Sequence, residues 1–195
     1  LAFATGLATA VLAVVRRTPQ QVRTRLQIGL ASVVAVAAVL VYVFRRPLVY
    51  SLNAAPDFLA RSRLWNAVLD MVELQPVQGW GWYGTWPTRE LPFTWIGVTT
   101  GDLHTSALNA YIDVLLQAGW VGAFLFAVVC VVAVARAWLT ASQRRSTVYT
   151  WPALILIALL ADAVVQSTIL SGFGWFLLIV CATRSSLVRG WRVGI

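Results

Sequence analysis

One arginine of this sequence is placed where an anion would be expected to bind. Arg61 lies in the stretch 57–74, whose apolar side chains recur with helical periodicity. On a helical wheel its side chain shares the apolar face with Trp65, whereas Arg63 lies on the opposite polar stripe. An arginine on an apolar face needs an anionic partner or a polar cavity. Two interpretations follow: a functional anion-binding residue, or a structural ion pair with a carboxylate such as Asp162.

The one histidine, His104, is the second side chain suited to transfer chemistry. A neutral imidazole accepts a proton from a hydroxyl near physiological pH. His104 directly precedes a second helical pattern, 105–118, for which Thr105 or Ser106 is the expected N-cap. A lone histidine can also be purely structural.

The segment between these two helices is rich in aromatic residues. Trp80, Trp82 and Tyr83 are candidates for stacking on sugar rings, and an equally good interpretation places them among lipid headgroups. The glycines of 79–84 have the spacing G-x-G-x-x-G. No strand precedes them, so a dinucleotide site is rejected and tight turns with close backbone approach are predicted.

Composition determines the setting of these residues. Hydrophobic residues make up 59% of the chain and charged residues 11%, against about 25% charged in soluble domains. A soluble core and a nucleic-acid partner are therefore excluded in favour of a lipid environment. Cys130 and Cys181 lie inside apolar runs and are interpreted as small core residues. The start at Leu1, within an apolar run, suggests a piece of a longer protein. The apolar runs are 1–15, 26–44, 119–138, 151–170 and 173–183, and the last is long enough to span only if its helix continues past Arg184.

The arginines predict the orientation. Ten of the fifteen lie in 16–25, 136–145 and 184–192, which contain no acid, so these loops should face the cytoplasm. About five spanning helices then place the loop 45–118 outside. Arg45 and Arg46 begin that loop and could hold a lipid phosphate or only contact headgroups.

The region from Arg61 to Gly122 resembles the signature of the O-antigen ligase family, which also includes O-antigen polymerases. Two positions depart from the family pattern: Ala60 replaces its opening glycine, and Leu108 stands where the family has histidine. If the second helix extends back one turn, His104 shares a face with Leu108 and reaches a similar site. The matching residues are Arg61 and Trp65 in ARSRLW, Pro76, Gly79 and Gly81 in QPVQGWGWYGTW, and NAYIDVLLQAGWVG from Asn109 to Gly122.

The resemblance implies an all-α, polytopic glycosyltransferase of the C type, with residues 1–195 forming one membrane domain and 45–118 its extracytoplasmic catalytic loop. It implies an undecaprenyl-diphosphate-linked glycan as donor, a glycan, lipid or protein hydroxyl as acceptor, and no metal or other cofactor. Arg61 and His104 would be catalytic. The expected location is the bacterial inner membrane. The substrate-binding candidates are Arg63, Arg45, Arg46, Asn109, Trp80, Trp82 and Tyr83.

Three other functions fit the same residues. A polymerase would use the same donor with a second lipid-linked repeat unit as acceptor. A glycan transporter would line its pathway with Asp162 and Gln166, which lie four residues apart within the run 151–170. A non-enzymatic sugar-binding module would need neither His104 nor Arg61.

Overall fold

The computed structural model describes residues 2–19, 22, 25, 27–29, 32, 36, 56–143 and 146–190. Within these residues all regular structure is helical, which confirms the all-α prediction for the described part of the chain. The helices are α1 (Ala2–Arg17), α2 (Pro56–Leu74), α3 (Phe93–Thr100), α4 (Ala110–Gln143), α5 (Trp151–Asp162) and α6 (Gly172–Gly190), with 3-10 turns at Thr147–Tyr149 and Thr168–Leu170.

Helix α4 contains the predicted span 119–138. Among the described residues it is the one helix long and apolar enough, by length and composition, to cross a membrane. It is broken at Gly119, and the 24 residues that follow extend about 36 Å, more than the ~30 Å hydrocarbon core. Phe124 and Val131 each expose 67% of their surface there, as expected for side chains that face lipid. The number of five spans remains a prediction.

The helix expected over 151–170 is shorter than predicted. Helix α5 ends at Asp162 after 12 residues, about 18 Å, which does not cross a hydrocarbon core by itself. A turn and the second 3-10 helix follow before α6 begins at Gly172. Helix α6 does continue past Arg184 and reaches Gly190, the condition under which the sequence predicts that it spans.

Small side chains line the packing face of α4. Helix α4 packs against α1, α5 and α6. Ala133, Ala137 and Ala141 recur every fourth residue on its buried face, and such a stripe lets helix backbones approach closely. Cys130 and Cys181 are buried and unbridged, which confirms their interpretation as small core residues.

A second core lies between α2, α3 and the start of α4. The apolar face of α2 is buried as the wheel predicts, with Leu64 and Val68 at 0% exposure. Arg61 is half-buried on the edge of that face, and Arg63 is exposed on the opposite stripe. Trp86, one of the aromatic residues between the two helical patterns, is also buried in the second core at 3% exposure. The other members are Ala67, Met71, Val72, Phe93, Ile96, Ala107 and Leu116.

Candidate functional site

The loop after α2 forms backbone hydrogen bonds with α4 at its break, around Gly119. In a continuous helix, two N–H groups just after Gly119 would donate to two carbonyls four residues before them. Here the loop supplies both replacements: two of its N–H groups donate to those carbonyls, and two of its carbonyls accept from those N–H groups. The four bonds are Trp80 N to Leu116 O (3.0 Å), Gly81 N to Gln117 O (2.9 Å), Trp120 N to Pro76 O (2.8 Å) and Val121 N to Val77 O (3.4 Å).

This junction explains two of the glycines. Gly79 and Gly119 have φ values of 67° and 64°, in the left-handed region that glycine adopts without steric cost. A Cβ atom on Gly79 would lie 2.5 Å from the Gly119 nitrogen, and one on Gly119 would lie 2.3 Å from the Val77 oxygen. The positive φ values of Gly79, Gly81 and Gly84 confirm the predicted turns, and the predicted close backbone approach is confirmed at Gly79 alone of these three. We call these four hydrogen bonds and two glycines the loop–helix junction.

The polar stripe at the start of α4 is buried and holds the loop between α2 and α3, residues 75–92, which we call the aromatic loop. Asp113 is 1% exposed and Gln117 is also 1% exposed. The Asp113 carboxylate accepts from Trp86 Nε1 at 2.7 Å, from Gln117 Nε2 at 2.8 Å and from the Ala107 N–H at 3.3 Å. The Gln117 amide oxygen in turn accepts from the Tyr83 N–H at 2.7 Å. The backbone of the aromatic loop is thus held against the start of α4.

The aromatic candidates differ in their availability. Trp80 is partly buried in the second core, and its Nε1 donates to the Met71 carbonyl at 2.9 Å. Trp82 is 55% exposed and Tyr83 is 41% exposed. The rings of Tyr83 and Phe93 pack edge to face, with 5.1 Å between their centroids. Trp82 and Tyr83 therefore retain surface for a sugar or a headgroup, whereas Trp80 serves mainly the packing.

Helix α4, which corresponds to the second helical pattern of the sequence (105–118), begins later than the sequence predicted. Leu108 has a φ of 51°, which ends any helical path before it. Asn109 is the N-cap: its Oδ1 accepts from the N–H groups of Tyr111 at 3.0 Å and Ile112 at 3.2 Å. The expected caps, Thr105 and Ser106, are wrong. His104 consequently lies in a loop and does not share a helical face with Leu108.

His104 is nevertheless in an ordered stretch of chain. It is partly buried. The next residue, Thr105, accepts a backbone bond from the Trp86 N–H at 3.0 Å, and Ala107 donates to Asp113. The loop that carries His104 is therefore tied at two points to the same buried network that holds the aromatic loop.

Arg61 binds the end of α5. Its Nη1 donates to the Val165 carbonyl at 2.8 Å and, more weakly, to the Leu108 carbonyl at 3.5 Å. Val165 lies in the turn three residues past Asp162, the last residue of α5, so the guanidinium lies near the negative C-terminal pole of that helix, where a cation is favourable. The alternative ion pair is not seen among the described contacts, since the Asp162 carboxylate accepts from Thr168 Oγ1 at 2.6 Å.

Neighbouring carbonyls at the end of α5 are held in the same way. Ala163 O accepts from the Ala110 N–H at 2.8 Å, and Val164 O accepts from Asn109 Nδ2 at 2.9 Å. Three successive carbonyls, 163 to 165, thus accept from α4, from its cap and from Arg61. These donors explain why α5 ends at Asp162 although apolar residues continue, and the apolar sequence gives no signal of them.

This arrangement leaves a positive charge available for an anion. Within the described residues, Arg61 bonds to neutral carbonyls and to no carboxylate, and its Nη2 and Nε have no partner there. The free edge of a guanidinium is suited to bind a phosphate with two parallel hydrogen bonds. Arg63 is exposed on the other side of α2. Arg45 and Arg46 lie outside the described residues.

No group of three or more His, Cys, Asp or Glu side chains that could hold a metal ion occurs in the described parts of the chain. The comparisons with known proteins give one match. The model of a family described as O-antigen ligase matches residues 1–127 of the 195. This region includes α2, the aromatic loop, His104 and the loop–helix junction. No curated protein and no solved structure matches the chain.

Proposed function

Because this chain belongs to the O-antigen ligase family, we propose that it transfers a glycan from an undecaprenyl-diphosphate carrier to an acceptor hydroxyl on the outer face of the bacterial cytoplasmic membrane. Family membership itself implies a membrane-associated, glycosyltransferase-like enzyme. The proposal adds the donor, the direction and the topology. In it, five helices cross the membrane, and the loop 45–118 is the extracytoplasmic catalytic part.

The observation that carries the proposal is the setting of Arg61. A helix end fixes one nitrogen of its guanidinium, while no described carboxylate neutralises the charge. Such a group is preorganised for an anion, and a diphosphate leaving group develops negative charge as the glycosyl bond breaks. Arg61 therefore serves as the electrostatic partner of the diphosphate. Arg63, Arg45 and Arg46 would contribute further positive charge.

The proposed displacement uses two side chains of the protein, one to stabilise the leaving group and one to accept the proton. The acceptor oxygen forms a bond to the anomeric carbon, and the bond from that carbon to the diphosphate oxygen breaks. The diphosphate keeps the electron pair and is stabilised by Arg61, while the acceptor proton passes to His104. A single displacement of this kind inverts the anomeric centre. The scheme uses no metal ion.

Other candidates take supporting positions. Trp82 and Tyr83 offer exposed rings for the glycan, whereas Trp80 supports the loop that carries them. Asn109 acts through its neighbours, because both ends of its amide are already bonded: Oδ1 caps α4 and Nδ2 holds Val164. It is therefore a positioning residue in this scheme.

The test is made in the full-length protein in its native host. Arg61→Ala and His104→Ala are compared with wild type at matched membrane levels. The control is Arg89→Ala, which removes an exposed arginine from the same outer region. Lipid-linked glycan and glycan on its final acceptor are quantified together. We expect both site variants to accumulate the lipid-linked donor and lose the transferred product, with the control unchanged.

Normal transfer by both site variants would contradict this assignment of residues. Absence of transfer by the wild-type protein, with movement of intact lipid-linked glycan, would favour a transporter instead. The polymerase alternative uses the same donor and the same residues, so the length of the product distinguishes it: one transferred glycan for a ligase, and a growing chain of repeat units for a polymerase.

A further inference from the structure

The outward face of α3 is apolar and uncovered. Its inward face packs into the second core through Phe93 at 4% and Ile96 at 0% exposure. The opposite face of α3 and the residues just before and after the helix expose four large apolar side chains, which we call the apolar ridge. Its members are Leu91 at 64%, Trp95 at 52%, Val98 at 75% and Leu103 at 77% exposure.

The threonine hydroxyls of this helix are satisfied without water. Residues 91–101 contain no charged side chain. Three threonine hydroxyls of α3 donate to backbone carbonyls of the preceding turn, so they do not depend on solvent. These bonds are Thr94 to Glu90 at 3.1 Å, Thr99 to Trp95 at 2.8 Å and Thr100 to Ile96 at 2.8 Å.

We propose that the apolar ridge lies in the outer leaflet, at the boundary between headgroups and acyl chains. A helix there buries its apolar face about 5–10 Å into the boundary, and a tryptophan such as Trp95 favours this depth. The one side-chain hydrogen-bonding group of the ridge is the Trp95 indole N–H, a donor suited to the headgroup level. The same chain already presents uncovered apolar side chains to lipid along α4, such as Phe124.

This contact has a consequence for the site. Leu103 directly precedes His104, and the loop that carries both is fixed to the core through Thr105. Burial of Leu103 in lipid holds His104 at the level of the headgroups, where the diphosphate of a lipid-linked donor also lies. The proposal rests on the topology in the proposed function, which places the loop 45–118 outside, and not on the reaction, so its test is independent of the transfer step.

The test is a depth measurement on the full-length protein in liposomes. Cys130, Cys181 and any cysteines elsewhere in the full chain are replaced, and a nitroxide label is attached to Val98→Cys or Leu103→Cys. Asp102→Cys is the matched control, because Asp102 is an exposed neighbour outside the ridge. Collision rates are measured with oxygen, which concentrates in lipid, and with a water-soluble nickel chelate.

We expect oxygen to reach the labels at 98 and 103 more readily than the nickel chelate, with the order reversed at 102. Equal access of the nickel chelate at 98 and 102 would overturn the proposal. Protection of 98 from both reagents would overturn it as well, because it would mean that protein covers the ridge, either a second copy or another part of the chain.

A second measurement requires no cysteine variant. Tryptophan fluorescence of the wild-type protein is recorded in liposomes whose lipids carry bromine near the headgroup. If Trp95 lies in the leaflet, Trp95→Phe removes part of the quenched signal. An unchanged quenched fraction in Trp95→Phe contradicts the proposal even if the labelled variants fail to fold.

Discussion

Replacing Gly79 by alanine tests the loop–helix junction directly. A left-handed backbone costs a residue with a Cβ about 1–2 kcal/mol. The added Cβ would also lie 2.5–2.6 Å from backbone atoms of Gly119 and Gln117, so the loop must move off the helix. Four hydrogen bonds would weaken, each contributing about 0.5–1.5 kcal/mol. We therefore expect Gly79→Ala to lower the free energy of unfolding by at least about 3 kcal/mol.

The chain offers a matched control in Gly84. Its φ is 72°, close to that of Gly79, but nothing lies within 4 Å of the position that a Cβ atom would occupy there. Gly84→Ala should therefore cost only the backbone strain, about 1–2 kcal/mol. The unfolding of both full-length variants is followed in mixed micelles titrated with a denaturing detergent. Equal unfolding midpoints for the two variants would refute the account of the junction, and so would full additivity of Gly79→Ala with Gly119→Ala, since both disrupt the same contact.

Three further substitutions test the site. Asn109→Asp keeps the helix cap but removes the donor to the Val164 carbonyl, so we expect the free energy of unfolding to fall by about 1–3 kcal/mol. We also expect the glycan-transfer rate of the purified variant to fall. A wild-type transfer rate would show that the bond to Val164 does not matter for transfer. Trp86→Phe keeps the packing but removes a donor to buried Asp113, and a destabilisation of about 1–3 kcal/mol should appear as a lower detergent unfolding midpoint. Trp82→Ala should leave that midpoint unchanged and raise the KM for the lipid-linked donor, and an unchanged KM would assign Trp82 to the headgroup layer.

The sequence predicted the features that depend on local patterns. Helical periodicity placed Arg61 on the apolar face of α2 and Arg63 on the opposite polar stripe, and in the structure Arg61 is half-buried and Arg63 is exposed. The long apolar run predicted the span within α4 because length and composition alone decide that property. Glycine spacing predicted close backbone approach, since few other residues adopt a positive φ at so little cost.

The features that sequence patterns missed depend on partners far along the chain. The run 151–170 has the composition of one span, yet α5 ends at Asp162, and the carbonyls of Val164 and Val165 in the turn that follows accept from Asn109 and Arg61. The cap of α4 was assigned to Thr105 or Ser106, which are good caps by type. Nothing local shows that Leu108 takes a positive φ and moves the helix start to Asn109.

The geometry also suggests what the family signature encodes. Its glycines form the loop–helix junction, and Asn109 ties the end of α5 to the start of α4. The first feature joins the loop after α2 to α4, and the second joins the start of α4 to the turn after α5. Among the described signature residues, Arg61 has a guanidinium with no described carboxylate partner. In the proposed function the acceptor meets the surface of the loop 45–118, so a signature made mostly of these buried joints is compatible with different acceptors. This explains in physical terms why the matched residues identify a family of transferases without distinguishing a ligase from a polymerase.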